Sequence, residues 1–186
     1  MKNSNLADLI EDIQAISDEV TNQFGQLSQD QLNWKPAADR WSIGQCLDHI
    51  ITLNRTYFPL FEKIIQGEYR PSLWQRVPVF PSLFGVMIIK ATQPESKKKY
   101  KTFPVFEPSG TMVNASISQD FIAHQLELTD YLKQFIQIEH QNIIISSPAS
   151  KWIIYRLGDC FTLLTVHEKR HLKQAVQVMK SADFPR

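Results

Sequence analysis

Apolar residues recur along this chain at the three- and four-residue spacings that place them on one face of a helix. From about Asn5 to Leu27, the residues Leu6, Leu9, Ile10, Ile13, Ile16, Val20, Phe24 and Leu27 form one stripe on an otherwise polar segment. A second helix is predicted from Ser42, where Ser42 and Gln45 have capping-box spacing, to about Gln66. The third begins near Ser116, with the same spacing to Gln119, and runs to about Gln137. Its stripe is Phe121, Leu128, Leu132, Phe135 and Ile136, with Leu126 at the edge. The fourth opens near Gly158 or Asp159 and ends before Pro185. Asp159 suits its N-cap, and Lys180 sits near the negative end of its dipole.

The connections are less regular. LSQDQLNWKPAADRW, between the first two helices, is expected to hold one helical turn from Ser28. A long connection from about Gly67 to Ala115 carries Pro71, Pro78, Pro81, Pro94, Pro104 and Pro108, so it cannot be one helix. Within it, PSLFGVMIIKAT fits a short helix with Pro81 in the first turn. A connection this long in a compact domain is usually functional or packs over one end of the fold. The segment Ile143 to Tyr155 is apolar and β-branched and suits short extended pieces, with no paired alternating strands elsewhere. The pattern predicts a mostly helical single domain over residues 1–186.

Composition narrows the class. With 186 residues, 43% apolar and 21% charged, the chain can bury a real core as a soluble globular domain. A net charge of +1 gives no overall field for nucleic acid. Cys46 and Cys160 are far apart in apolar helical sequence, which fits buried free thiols and a reducing cytoplasm better than a disulfide. The N-terminal MKNSNLADLIEDIQ lacks the apolar run of a signal peptide. Val77 to Ile89, the most apolar stretch, is interrupted by Pro78, Pro81 and Gly85 and is too short to cross a bilayer. A cytoplasmic protein with no membrane and no nucleic-acid partner is expected.

The sharpest chemical signal is His167-Glu168-Lys169-Arg170-His171. Residues four apart on a helix share a face, with Cβ atoms about 5–6 Å apart. Two such imidazoles can close on one metal at about 2.0–2.1 Å from each nitrogen. A solvated face with two incidental histidines fits the spacing equally well. The string also matches His-Glu-x-x-His, in which the glutamate is the general base of peptide hydrolysis. Against a peptidase, the tail after His171 offers only Asp183 as a further ligand. A third ligand is better sought upstream, at His49 in the second helix, although a lone histidine among apolar neighbours also reads as a core residue. Three nitrogens from two helices would leave an open coordination position, the arrangement of a catalytic site.

With these residues in place, the chain resembles the DinB-like (YfiT-like) family of metal-dependent enzymes. The resemblance spans nearly the whole chain. It rests on LSQDQLNWKPAADRWSIGQCLDHI, on KTFPVFEPSG before the third helix, and on LGDCFTLLTVHEKRHLKQ at the end. It implies an all-α four-helix bundle with a long loop between helices 2 and 3, and metal-binding histidines at His49, His167 and His171. It further implies zinc or nickel, a homodimer and a small-molecule substrate. Relatives transfer or isomerise with low-molecular-weight thiols such as bacillithiol or mycothiol. The expected activity is therefore a metal-dependent hydrolase or thiol S-transferase. The alternative is a non-catalytic metal-binding or stress-related partner-binding bundle.

Other residues have two readings each. Glu168, about 100° around the helix from His167, suits a base for metal-bound water or a solvated flank. Asp48 could orient a ligand imidazole or be a surface acid. Gln174 and Tyr57 could contact a ligand, with core packing favoured for Tyr57. Cys46 and Cys160 could approach the metal face but read better as buried thiols. His124 and His140 read as ordinary polar residues, and Lys97, Lys98, Lys99 and Lys101 as a solvated loop. Trp34, Trp41, Trp74 and Trp152 are expected to pack the bundle ends, some at a pocket mouth.

Overall fold

A computed structural model of the chain describes residues 5–73, 75, 80–94 and 102–186. Asn5 accepts the Ala7 N–H and starts α1 (Leu6–Phe24), which buries Leu6, Leu9, Ile13, Ile16, Val20 and Phe24 of the expected stripe. Ser28 caps α2 (Gln29–Asn33) and Ser42 caps α3 (Ile43–Arg55). Both are full capping boxes, with Gln31 and Gln45 accepting from the cap's own N–H.

The second predicted helix is in fact two. It breaks after Arg55 and resumes as α4 (Phe58–Ile65), because Pro59 has no N–H for the Arg55 carbonyl and its ring crowds that turn. Further along, α5 (Phe80–Thr92) occupies the place expected for a short helix, and Pro104–Phe106 forms a single 3-10 turn. At the start of α6 (Ile117–Phe135) the expected capping box is not made. Ser116 has helical backbone angles, and its hydroxyl donates to Asp120 at 3.0 Å. The last helix, α7 (Leu157–Met179), begins behind Arg156, so Asp159 lies in its first turn instead of capping it.

The all-α expectation needs one correction: the fold is mostly helical with a small sheet. Strand β1 (Ile144–Ser147) pairs antiparallel with β2 (Ser150–Arg156), Ile145 opposite Tyr155, with a register shift between Ser146 and Ser147. The hairpin buries Ile145, Ile154 and Tyr155, and the Tyr155 hydroxyl lies 2.6 Å from that of Tyr57. Tyr57 is thus a core residue. The hairpin runs directly into α7, whose Leu157 N–H donates to Ile143 at 2.8 Å.

Helix α1 packs against α6 and α7, α3 also packs against α6 and α7, and α5 lies on α7 and β2. The apolar core has two parts. One gathers Leu6 to Ile13, Phe61, Leu128 to Phe135 and Phe161; the other gathers Ile16 to Phe24, Leu47, Phe121 and Leu172. Cys160 belongs to the first and Cys46 to the second; both are free, and burial raises both thiols far above their ordinary range. They are inert packing groups. Trp34 meets Phe184 edge-on near one end, whereas Trp152 is 59% exposed. Ile136, expected in the α6 stripe, is 51% exposed just past the helix end. Trp74, Tyr100, Lys97, Lys98, Lys99 and Lys101 lie outside the described residues. No helix among the described residues is long and apolar enough to cross a membrane.

At Gly44 the first turn of α3 leaves no room for a side chain. A Cβ there would collide with the Val113 side chain and lie 3.0 Å from the Leu32 carbonyl oxygen. Alanine normally favours a helix over glycine by about 1 kcal/mol, but overpacking against backbone costs about 1–3 kcal/mol. Gly44→Ala is therefore expected to destabilise, lowering the melting temperature by roughly 2–8 °C in calorimetry. A raised melting temperature would show that the chain around Val113 is not held against α3.

Candidate metal centre

The capping box at Ser42 sets the start of α3 and so the face on which His49 points towards α7. One turn apart on α7, His167 and His171 turn their rings to meet it. The Nε2 atoms of His49 and His167 are 3.4 Å apart, and those of His171 and His167 are 3.2 Å apart. All three sets of ligand atoms lie within 4.8 Å of one another. A tetrahedral ion with metal–nitrogen bonds near 2.0–2.1 Å separates its ligands by about 3.3 Å. Two of the three pairs thus already have the spacing of ligands on one ion, and the three imidazoles together could hold a metal.

Their protonation suits ligation. The Phe106 carbonyl oxygen is 2.5 Å from His49 Nδ1. A carbonyl only accepts, so Nδ1 carries the hydrogen and Nε2 presents a lone pair to the other two rings. Burial lowers the pKa of His49 to about 4, partly offset by the Phe106 carbonyl and Asp48. His171 falls to about 3 through burial, His49 and Arg170. His167 falls well below the usual range, through burial first and then His171, His49 and Arg170. All three are neutral at pH 7, the form that binds metal.

Around them, Trp41 tilts over His49 and His171 with ring centroids 4.6 and 5.4 Å away, the tryptophan at the site among the described residues. Arg170 donates to the carbonyls of Ala91 at 3.4 Å and Gln93 at 2.9 Å, tying the end of α5 to α7. Gln174 lies close enough to His171 to favour its protonated form slightly, while the buried His171 Nδ1 has no hydrogen-bond partner among the described residues. Asp48 is neither a surface acid nor bonded to an imidazole. It is buried, and its carboxylate accepts the Ser109 N–H at 2.6 Å and the Ser109 hydroxyl at 2.9 and 3.0 Å.

Glu168 faces elsewhere. It is fully buried, which removes the solvated-flank reading. Its Oε1 accepts from Asn54 at 2.6 Å and its Oε2 from Gln125 at 2.8 Å. The Asn54 amide nitrogen is also 3.1 Å from His124 Nε2. Burial raises the Glu168 carboxyl to about 7 despite both amides. His124, expected to be an ordinary polar residue, is fully buried and stacks on Phe58 at 5.3 Å. Sequence reasoning missed this quartet, yet a signal was there. His124 and Gln125 fall three and four residues after Phe121, in the middle of the α6 stripe. His140, by contrast, is local: its Nδ1 donates to the Phe135 and Ile138 carbonyls.

A family model described as the DinB superfamily matches residues 13–175. Neither a curated protein nor a solved structure matches the chain.

The buried histidines set a pH dependence. His49, His124, His167 and His171 all have folded pKa values below the ordinary 6.5, so each takes up a proton on unfolding as pH falls below that value. Each therefore removes stability as pH falls from 7 towards 5. Glu168 acts oppositely: its folded pKa lies above its ordinary 4.5, so it favours the folded state at low pH, an effect lost as pH rises through about 7. Four losses outweigh one gain. Urea unfolding of metal-free protein is expected to give a markedly lower free energy at pH 5 than at pH 7, and Glu168→Gln should steepen the drop. A flat profile would mean that these histidines are not buried neutral.

Proposed function

The chain belongs to the DinB superfamily, and from that premise we propose a metal-dependent enzyme that acts on a small molecule at His49, His167 and His171. The observation carrying this reading is the 3.2 and 3.4 Å spacing of three imidazole nitrogens that point at one another. Like neutral acceptors do not gather this closely without protons or a cation between them. An all-imidazole set suits zinc or nickel. Three protein ligands leave a position open, where such an ion acts as a Lewis acid and lowers the pKa of a water or thiol. The reaction would then be thiol transfer or hydrolysis, with a low-molecular-weight thiol as candidate cosubstrate.

The remaining parts of the reading concern this chain's own residues. Helices α1, α3, α6 and α7, each packed on two of the others, are the proposed four-helix bundle. A cytoplasmic homodimer is the proposed state. His49 is held ready as the Nδ1–H form, and Trp41 walls the site with an aromatic face. Glu168 is the proposed base, supported by a carboxyl raised to about 7, and it would have to release Asn54 or Gln125 to reach a substrate. That same engagement favours the second reading, a bundle that binds metal without turning anything over.

Elemental analysis of protein prepared without chelator or affinity tag tests the site. About one zinc or nickel per chain is expected, with loss of that ion in His167→Ala and His49→Ala. An ion retained at full stoichiometry by His167→Ala would sink the assignment. Turnover of thiol-transfer or hydrolytic substrates by the loaded protein, lost in Glu168→Gln at unchanged metal content, separates the enzyme from the non-catalytic bundle.

A further inference from the structure

We infer that Asp48 is a positioning residue for His49, acting through Ser109 on the strap of chain that carries the Phe106 carbonyl. Residues 106–113 run antiparallel to the first half of α3 and are fastened to it at four points. The Phe106 carbonyl accepts from His49, Ser109 donates to Asp48, the Gly110 carbonyl accepts from Gln45 at 3.2 Å, and Val113 rests on Gly44. As the strap ascends through 106, 109, 110 and 113, its partners descend through 49, 48, 45 and 44. At its far end Asn33 locks Val113 from both sides, accepting its N–H at 2.8 Å and donating to its carbonyl at 2.9 Å.

The Asp48 tie matters because of the group it holds in place. The Phe106 carbonyl is held on one side by its own side chain, which packs in the core, and its aim over the imidazole is completed by the next fastening along the chain. Three residues on from Phe106, the Asp48 carboxylate takes both the N–H and the hydroxyl of Ser109 from a buried position. Such charge-assisted bonds are about twice as strong as neutral ones. Among the described residues, His49 is the one of the three histidines whose Nδ1 has a hydrogen-bond partner. Asp48 therefore governs which nitrogen of His49 carries its hydrogen. With the carbonyl displaced, the hydrogen is free to sit on Nε2, the atom that must ligate, and a metal would first have to displace it. The metal half of this inference rests on the function proposed above; the tautomer half does not.

Two measurements on metal-free and zinc-titrated protein decide it. Long-range proton–nitrogen correlation spectra of nitrogen-15-labelled protein near neutral pH report the protonated nitrogen of His49. Wild type is expected to carry it on Nδ1. In Asp48→Ala the spectrum should move towards Nε2–H, with zinc affinity falling roughly 10- to 100-fold. Ser109→Ala, which keeps the N–H tie, should move part of the way, and Ser109→Thr should return to wild type. Val113→Ala loosens the strap's far end without touching Asp48, so it should lower the melting temperature while shifting tautomer and affinity less than Asp48→Ala does. Asp48→Ala that stays folded with a wild-type tautomer and wild-type affinity overturns the inference. Should Asp48→Ala fail to fold, an unmoved tautomer in Ser109→Ala does the same. A wild type that binds no zinc but whose His49 responds to Asp48→Ala would reject the metal reading and keep the positioning role. Zinc binding with unresponsive tautomers would do the reverse.

Discussion

A belt of buried polar side chains crosses the middle of this fold, and the rest of the architecture accommodates it. Along each long helix the two apolar clusters meet at this level: between Ile13 and Ile16 on α1, Ile51 and Leu53 on α3, Phe121 and Leu128 on α6, and Leu164 and Leu172 on α7. At or beside those junctions lie His49, Asn54, His124, Gln125, Glu168 and His171, all buried. An unpaired buried polar group costs about 1–3 kcal/mol, so a belt of this size stands only because packed apolar layers on both sides offset it. The same burial lowers the pKa values of these three histidines and of His167 beside them, and raises the Glu168 carboxyl to about 7.

The belt divides into two groups that share α7. Because His167 and Glu168 are consecutive, their side chains leave the helix about 100° apart. One turns towards α3 and meets His49; the other turns inward to Asn54 of α3 and Gln125 of α6. The carboxylate group thus ties three helices together and fixes how α7 is rotated. The histidine group draws on two helices only and takes its third support from a loop, through the Phe106 carbonyl. Rotation of α7 and seating of the strap are separate conditions, and both must hold before the three nitrogens converge.

How far the sequence is legible depends on the range of the interactions. The α1 stripe and the boxes at Ser28 and Ser42 are local patterns, and the structure has them. His167 and His171 are local too, since four residues on a helix fix a shared face. His49 is 118 residues from His167, and its place beside them rests on the resemblance, with periodicity only making it reasonable. The extended pieces within 143–155 are legible in their β-branched residues, but their pairing is not, because Ile143, Ile144 and Ile145 are a continuous apolar run with no alternation. The strap escapes because it has no periodicity at all; its order comes from Asp48, Gln45 and Asn33, whose partners are 61 to 80 residues away. The break at Pro59 and the polar pair His124–Gln125 are local as well, but an unbroken apolar stripe masks both.

The string His-Glu-x-x-His has a different meaning here from the one it carries in zinc peptidases, and the difference bears on the chemistry. There the glutamate stands beside the ion as base; in this chain both its oxygens are occupied on another face of α7. Within the proposed function, a base that must first release an amide to act favours a substrate that ionises easily. Water starts from a pKa near 15.7 and must fall by about nine units to be half ionised at neutral pH, whereas a thiol near 8.5 needs a shift of only about one and a half. A soft thiolate also suits zinc or nickel better than a hard oxygen ligand does. The burial of Glu168 therefore weighs the proposed reading towards thiol transfer and away from hydrolysis, at a site whose histidines lie against the aromatic face of Trp41.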